Sequence, residues 1–108
     1  MQSIPLGLVT VITAGTPVNL TLSGAQAALL PPSGQVAKIE FWPNPAAAGK
    51  VYVKVGGVTL AALMVPASGA QPFPFTTPER EENSISPLVY QIDAATNGDG
   101  AFVTLWVA

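Results

Sequence analysis

The chain has 108 residues, of which 49% are hydrophobic and 9% are charged, and its formal net charge is -2. It contains no Cys and no His, which excludes thiol nucleophiles, disulfides, Ser-His-Asp triads and zinc sites built on those residues. The four basic residues are scattered, whereas tight binding to a phosphate backbone needs clustered cations, so we expect no nucleic-acid partner.

Hydrophobic stretches in the sequence are short. The longest, residues 58–65, is broken by Thr59 and stopped by Pro66, well short of the roughly 20 residues that cross a bilayer. The apolar N-terminus lacks the basic region of a signal peptide and is interrupted by Pro5 and Gly7, so we interpret it as mature sequence. We therefore expect no membrane partner, and the absence of cysteine fits synthesis in a reducing cytosol.

Eleven Pro and ten Gly punctuate short runs of aliphatic, Thr and aromatic residues, which is typical of an all-β domain. In chain order, the predicted strands are residues 8–13, 17–22, 35–42, 50–55, 58–64, 84–86, 88–92 and 101–107. One helical turn is predicted within residues 23–30, before two prolines, and Gly56-Gly57 suits a two-residue hairpin loop. Seven to eight short antiparallel strands indicate a single-domain β-sandwich or jelly roll.

Alternation along these strands assigns every second side chain to the core. In the strand at 35–42, for example, Ala37, Ile39 and Phe41 are expected to point inward. The same rule turns four aromatic side chains outward, those of Trp42, Tyr52, Phe102 and Trp106. Two interpretations remain open: loops of the same domain cover these rings, or the rings form a subunit interface, where Trp and Tyr are favoured.

The segment Gln71-Pro-Phe-Pro-Phe75 is a second candidate contact, because proline fixes an extended backbone that can present two Phe side chains. Phe73 and Phe75 either dock on a partner or pack into their own core. The low charge leaves little repulsion between neighbouring molecules. We therefore expect a protein that works in an assembly, as a homo-oligomer.

The strongest polar cluster is residues 93–100, Asp-Ala-Ala-Thr-Asn-Gly-Asp-Gly. Oxygens of Asp93, Asn97 and Asp99 could surround calcium, but no bidentate glutamate follows, and Asn-Gly and Asp-Gly are common turn dipeptides. A turn is therefore favoured over a calcium site.

Glu40 and Asp93 could form a carboxylate pair for glycoside hydrolysis, although nothing in their spacing selects this chemistry. The sequence predicts no catalytic residue, no cofactor and no metal, and we interpret residues 79–82 as a solvated loop or helical turn.

The order of four segments resembles the small β-sandwich virion proteins of tailed bacteriophages, including head-decoration or cement proteins. These segments are residues 13–20 (TAGTPVNL), 34–41 (GQVAKIEF), 44–53 (NPAAAGKVYV) and 97–105 (NGDGAFVTL), and the likeness extends over roughly residues 8 to 107. The resemblance implies a non-enzymatic protein on the capsid surface, made in the host cytoplasm, that binds the major capsid protein lattice as a dimer or trimer. It carries over no catalytic residue and no fixed interface motif.

We accordingly expect an N-terminal arm at residues 1–7, which orders on the partner, and a β-sandwich domain at 8–108. The alternatives are a glycan- or receptor-binding jelly-roll module, in which Trp42, Tyr52 and Trp106 form a stacking platform, and a tail or neck structural protein. The candidate interface residues are Ile4, Leu6, Trp42, Tyr52, Phe73, Phe75, Phe102 and Trp106.

Overall fold

Strands make up most of the regular structure in a computed structural model of the chain, which describes residues 1–66 and 72–108. A short helix, α1 (Gly24–Ala27), and a 3-10 turn (Pro87–Val89) interrupt the strands. The eight strands of the described residues are β1 (Gln2–Thr10), β2 (Val18–Asn19), β3 (Lys38–Pro43), β4 (Val51–Val55), β5 (Val58–Leu63), β6 (Phe75–Thr76), β7 (Tyr90–Ala94) and β8 (Gly100–Val107).

The strands pair from the two ends of the chain inward. β1 pairs with β8, β2 with β7, β3 with β6 and β4 with β5, and every pair is antiparallel. β8 also pairs with β3, and β7 with β4, so the ribbon folds into two sheets. Sheet A has the order β1-β8-β3-β6 and sheet B the order β2-β7-β4-β5. This is the strand order of a jelly roll, so the predicted all-β sandwich is confirmed.

Inward side chains of both sheets fill the core. Ile39, Phe41 and Leu105 from sheet A are fully buried, as are Val53 and Ile92 from sheet B. Each such side chain stabilises the fold by about 1.5–3 kcal/mol relative to its exposed state. The predicted alternation is therefore confirmed along β3, β4 and β8, where buried residues alternate with half-buried or exposed ones.

The N-terminal segment differs from the expected arm. β1 begins at Gln2 rather than at residue 8, and it pairs along β8 as far as Val107. Ile4 lies opposite Leu105 and is fully buried. Pro5 is tolerated because β1 is an edge strand, which leaves one side of its backbone unpaired, and the register shift between Pro5 and Gly7 absorbs the interruption as a bulge. Residues 2–7 thus belong to the sandwich.

Of three local predictions, two are confirmed and one is wrong. Gly56 and Gly57 form the hairpin turn between β4 and β5, and their φ angles of 58° and 81° fit a type I′ turn. α1 forms where expected, and the side chains of Ser23 and Gln26 close a capping box at its start. The strand predicted at 84–86 is wrong, because that segment contributes a single bridge, between Ile85 and Val36.

Candidate functional site

The outer face of sheet A carries a row of apolar side chains across three strands. Phe102 of β8 lies between Leu8 of β1 and Trp42 of β3 in the registers of both strand pairs. Leu8 is 42% exposed and Phe102 is 44% exposed, while Trp42 is half-buried. We call these three residues the sheet A row. Cross-strand pairing therefore joins two predicted interface residues, Trp42 and Phe102, and adds Leu8.

The remainder of this face becomes more polar with distance from the sheet A row. Thr104 and Glu40 lie opposite each other in the next position, and Trp106 lies opposite Lys38 beyond them. The Lys38 ammonium sits over the Trp106 ring, 4.9 Å from its centroid, as a cation–π contact. The face of the Trp106 ring is therefore covered by Lys38 of the same chain, and Trp106 does not extend the sheet A row.

The outer face of sheet B is polar and largely satisfied by its own residues. Lys54 Nζ lies 3.1 Å from Asp93 Oδ2, and Gln91 Nε2 donates to Asn19 Oδ1 at 2.7 Å. Tyr52 is on this face, between Asp93 of β7 and β5. Because Trp42 and Trp106 lie on the other sheet, the predicted sugar platform built from them and Tyr52 is wrong.

The two phenylalanines of the proline-rich segment have opposite environments. Phe73 is 84% exposed, whereas Phe75 is half-buried on β6, with its ring centroid 6.0 Å from that of Phe41. An open apolar groove of about 330 Å3 separates this segment from β5, lined by residues 61–64 and 73–75. Gln71 lies outside the described residues. Among residues 72–75, Phe73 is the one residue that is mostly exposed to solvent.

The other two interface candidates from the N-terminus lie in or against the core. Ile4 is fully buried, and Leu6 is half-buried and packs on the core cluster. Neither side chain is available to a partner while β1 is paired.

The acidic cluster at 93–100 connects three loops at one end of the sandwich. The buried Asp99 carboxylate accepts from the backbone N–H groups of Ala48 (3.1 Å to both oxygens) and Gly49 (2.9 Å). The side-chain oxygen of Asn97 accepts from the Ala14 N–H at 2.7 Å. These bonds hold the loops before β2 and β4 against the turn between β7 and β8.

Asp93 plays a similar role from β7. Its Oδ1 accepts from the N–H groups of Gly15 and Ala94, and its Oδ2 pairs with Lys54. Burial alone would raise the pKa of the Asp93 carboxyl, but these hydrogen bonds and the nearby Lys54 charge outweigh it, so the pKa lies below its ordinary value. Asp93 is therefore a charged structural anchor at neutral pH.

These contacts favour a turn over a calcium site at residues 93–100. The carboxylate oxygens that calcium would need accept hydrogen bonds from N–H groups instead, and Gly98 has the positive φ of a tight turn, 88°. Within residues 1–66 and 72–108, three or more His, Cys, Asp or Glu side chains nowhere group as a metal site would require. Glu40 and Asp93 lie on the outer faces of different sheets, so they cannot form a hydrolytic pair.

In the described part of the chain, no helix is long and apolar enough to span a membrane. Comparisons of the chain with protein-family models, curated proteins and solved structures find no match.

Sequence reasoning missed Leu8 as a member of the sheet A row. The register of β1 against β8 brings Leu8 beside Phe102, and the sequence carries no local signal of that register.

Proposed function

We propose that this chain is a non-enzymatic structural protein of a tailed-phage virion that binds the outer surface of the capsid lattice and reinforces it. The observation that carries the proposal is the sheet A row. Leu8, Phe102 and Trp42 present large apolar groups to solvent on a regular sheet face. Aromatic and aliphatic side chains placed in this way are typical anchors of protein interfaces. We assign this face to the major capsid protein.

Composition and architecture support the same assignment. The charged residues, 9% of the chain, leave a surface that binds through packing and neutral hydrogen bonds rather than through ionic steering. Jelly rolls occur in viral capsid and lectin domains, although a fold by itself does not determine function. On a lattice, many copies acting together compensate for weak individual contacts.

The resemblance described above supports a phage capsid rather than another regular assembly. A tail or neck position fits the same surface, and capsid binding distinguishes it. A glycan-binding module is less well supported, because Tyr52 lies on sheet B and Lys38 already covers Trp106.

The proposal is tested by co-sedimentation of the purified chain with mature capsids of its own phage and with immature shells. We expect saturable binding to mature capsids at a fixed ratio to the major capsid protein. The double variant Leu8→Ser/Phe102→Ser should lose this binding. The matched control Leu29→Ser/Leu88→Ser removes two exposed leucines elsewhere, 49% and 58% exposed, and should bind as wild type does.

Failure of the folded wild-type chain to bind mature capsids would refute the capsid proposal. Equal binding by both double variants would refute the assignment of the sheet A row as the contact. If the chain does not bind capsids and its tryptophan fluorescence changes when glycans are added, the glycan-binding alternative would be supported instead.

A further inference from the structure

A sheet edge exposes backbone N–H and C=O groups that can pair with another strand, and natural proteins commonly block such edges. Three of the four edges in the described residues are blocked. On β1, Pro5 has no N–H, a bulge follows it, and Gln26 Nε2 from α1 donates to the Pro5 carbonyl at 2.9 Å. β2 and β6 are each two residues long, and prolines stand beside them: Pro17 before β2 and Pro74 before β6.

The fourth edge, β5 (Val58–Leu63), shares only a bulge with the blocked edges. Its six residues, VTLAAL, contain no proline and no charge. Val58 is 62% exposed and Leu60 is 46% exposed. The single irregularity is a register shift opposite Val53 and Lys54, which leaves Leu60 without a partner on β4. β5 is therefore the least protected of the four edges in the described residues, with residues 73–75 across an open groove from residues 61–64.

The register shows which β5 backbone groups face away from β4. Val55 and Val58 flank the two-residue turn and form a hydrogen-bonded pair, so the next pair, Lys54 and Thr59, is not hydrogen-bonded across the hairpin. Alternation along β4 then gives the same status to the Tyr52–Ala62 pair. The N–H and C=O groups of Thr59 and Ala62 consequently point outward from the sheet.

We propose that β5 pairs antiparallel with β5 of a second copy, which joins the two B sheets into one continuous eight-stranded sheet. A two-fold axis between Leu60 and Ala61 places Thr59 opposite Ala62 of the second copy and Ala62 opposite Thr59. Both residues can bond outward in this register because the extra residue, Leu60, shifts the alternation between them.

The neutrality of β5 favours a second copy as the occupant. A two-fold axis pairs the edge with an identical segment, so an edge with charges of one sign would repel itself, whereas VTLAAL carries no charge. The nearest cation, Lys54, is held by Asp93 at 3.1 Å. The pairing is closed at two copies, because both β5 edges are consumed.

This inference rests on the proposed function only for its biological use. Pairing through sheet B leaves the sheet A row of both copies free, so a dimer could engage two sites on a lattice and gain avidity. The pairing itself is a property of the isolated chain and can be measured without capsids.

The test is sedimentation equilibrium of the full chain at micromolar to millimolar concentration. We expect a reversible dimer of about twice the 11.0 kDa monomer mass. The variant Thr59→Glu/Ala62→Glu places carboxylates opposite carboxylates and should weaken the dimer by about tenfold or more. Thr59→Glu also faces Lys54 within the monomer, which helps the variant to stay folded. The matched control is Leu8→Glu/Phe102→Glu, which adds the same charge on sheet A and should leave the dimer intact.

Amide exchange measured by NMR provides a second readout that needs no variant. The Thr59 and Ala62 amides should exchange rapidly in dilute monomer and become protected in the dimer, while the Val58 amide should be protected in both states. A monomeric wild type, or unchanged exchange at Thr59 and Ala62 on dimerisation, would overturn the inference, whereas capsid binding by that same monomer would leave the proposed function standing. A dimer lost only in Leu8→Glu/Phe102→Glu would assign self-association to sheet A and overturn the inference as well.

Discussion

Substitution of Asp99, whose buried carboxylate holds the loop before β4, gives the most specific stability prediction. Asp99 is 6% exposed, and its carboxylate accepts from two backbone N–H groups, those of Ala48 and Gly49. A hydrogen bond to a charged group contributes about 1.5–3 kcal/mol. Asp99→Ala removes both acceptors and leaves both donors without a side-chain partner. Using the lower value for each bond, because Ala48 is exposed, we expect a loss of about 3 kcal/mol.

Asp99→Asn separates hydrogen bonding from charge. The amide oxygen can take the position of Oδ2, which accepts from both Ala48 and Gly49, so this variant should lose about 1 kcal/mol. Asn97→Ala is the control, since it deletes one exposed acceptor and should cost less than Asp99→Ala. Urea unfolding measures all three, with an unchanged m-value. If Asp99→Ala unfolds within about 0.5 kcal/mol of wild type, or if Asn97→Ala costs more, the loops are not held by this carboxylate.

Three further outcomes follow from the same end of the sandwich. Gly100→Ala should cost about 3 kcal/mol in urea unfolding, because the new Cβ would overlap the Val9 carbonyl oxygen of β1; a cost below about 1 kcal/mol would contradict this close approach. The lowered pKa of Asp93 means that the unfolded chain binds the proton more readily, so its contribution to stability is present at neutral pH and is lost as the pH falls below about 4. Asp93→Asn should flatten that acid limb of the stability profile, and an unchanged limb would refute the assignment. Calcium should leave the melting temperature unchanged, because hydrogen-bond donors occupy the carboxylates of Asp93 and Asp99; a rise would restore the calcium site.

The sequence was sufficient where one strand carries its own pattern. Alternation along β3 alone is enough to place Ile39 and Phe41 in the core, where both are fully buried. The hairpin at Gly56-Gly57 was equally local, because a positive φ at both positions favours glycine. Strand position and facing are local properties of a period-two pattern, and both were predicted correctly for β3, β4 and β8.

Properties that depend on register could not be predicted in this way. β1 contains Pro5 and Gly7, which argue against a strand, yet its pairing with β8 overrides them because the unpaired side of an edge accepts a missing N–H. β6 was missed because its two residues stand among prolines and acquire strand geometry only beside β3. The sugar platform failed for the same reason, since facing within a strand does not tell which sheet Tyr52 joins.

The two sheets divide the surface chemically. On sheet B, Lys54 pairs with Asp93 and Gln91 with Asn19, so these polar groups of the outer face are already bonded within the chain. On sheet A, the apolar row has no such compensation. A partner that removes this row from water therefore gains apolar burial without breaking a polar contact of the chain.

Phe102 and Phe41 provide a matched test of that division, because the same substitution is made on the two sides of sheet A. Phe41 is fully buried, and Phe41→Ala should cost about 3–5 kcal/mol in urea unfolding. Phe102 is 44% exposed, so Phe102→Ala should cost about 1 kcal/mol while it weakens capsid attachment. If loops of the same chain covered the outward aromatic rings, the two substitutions would cost nearly the same. Comparable losses of stability would therefore make Phe102 part of the core, and the sheet A row would cease to be a binding surface.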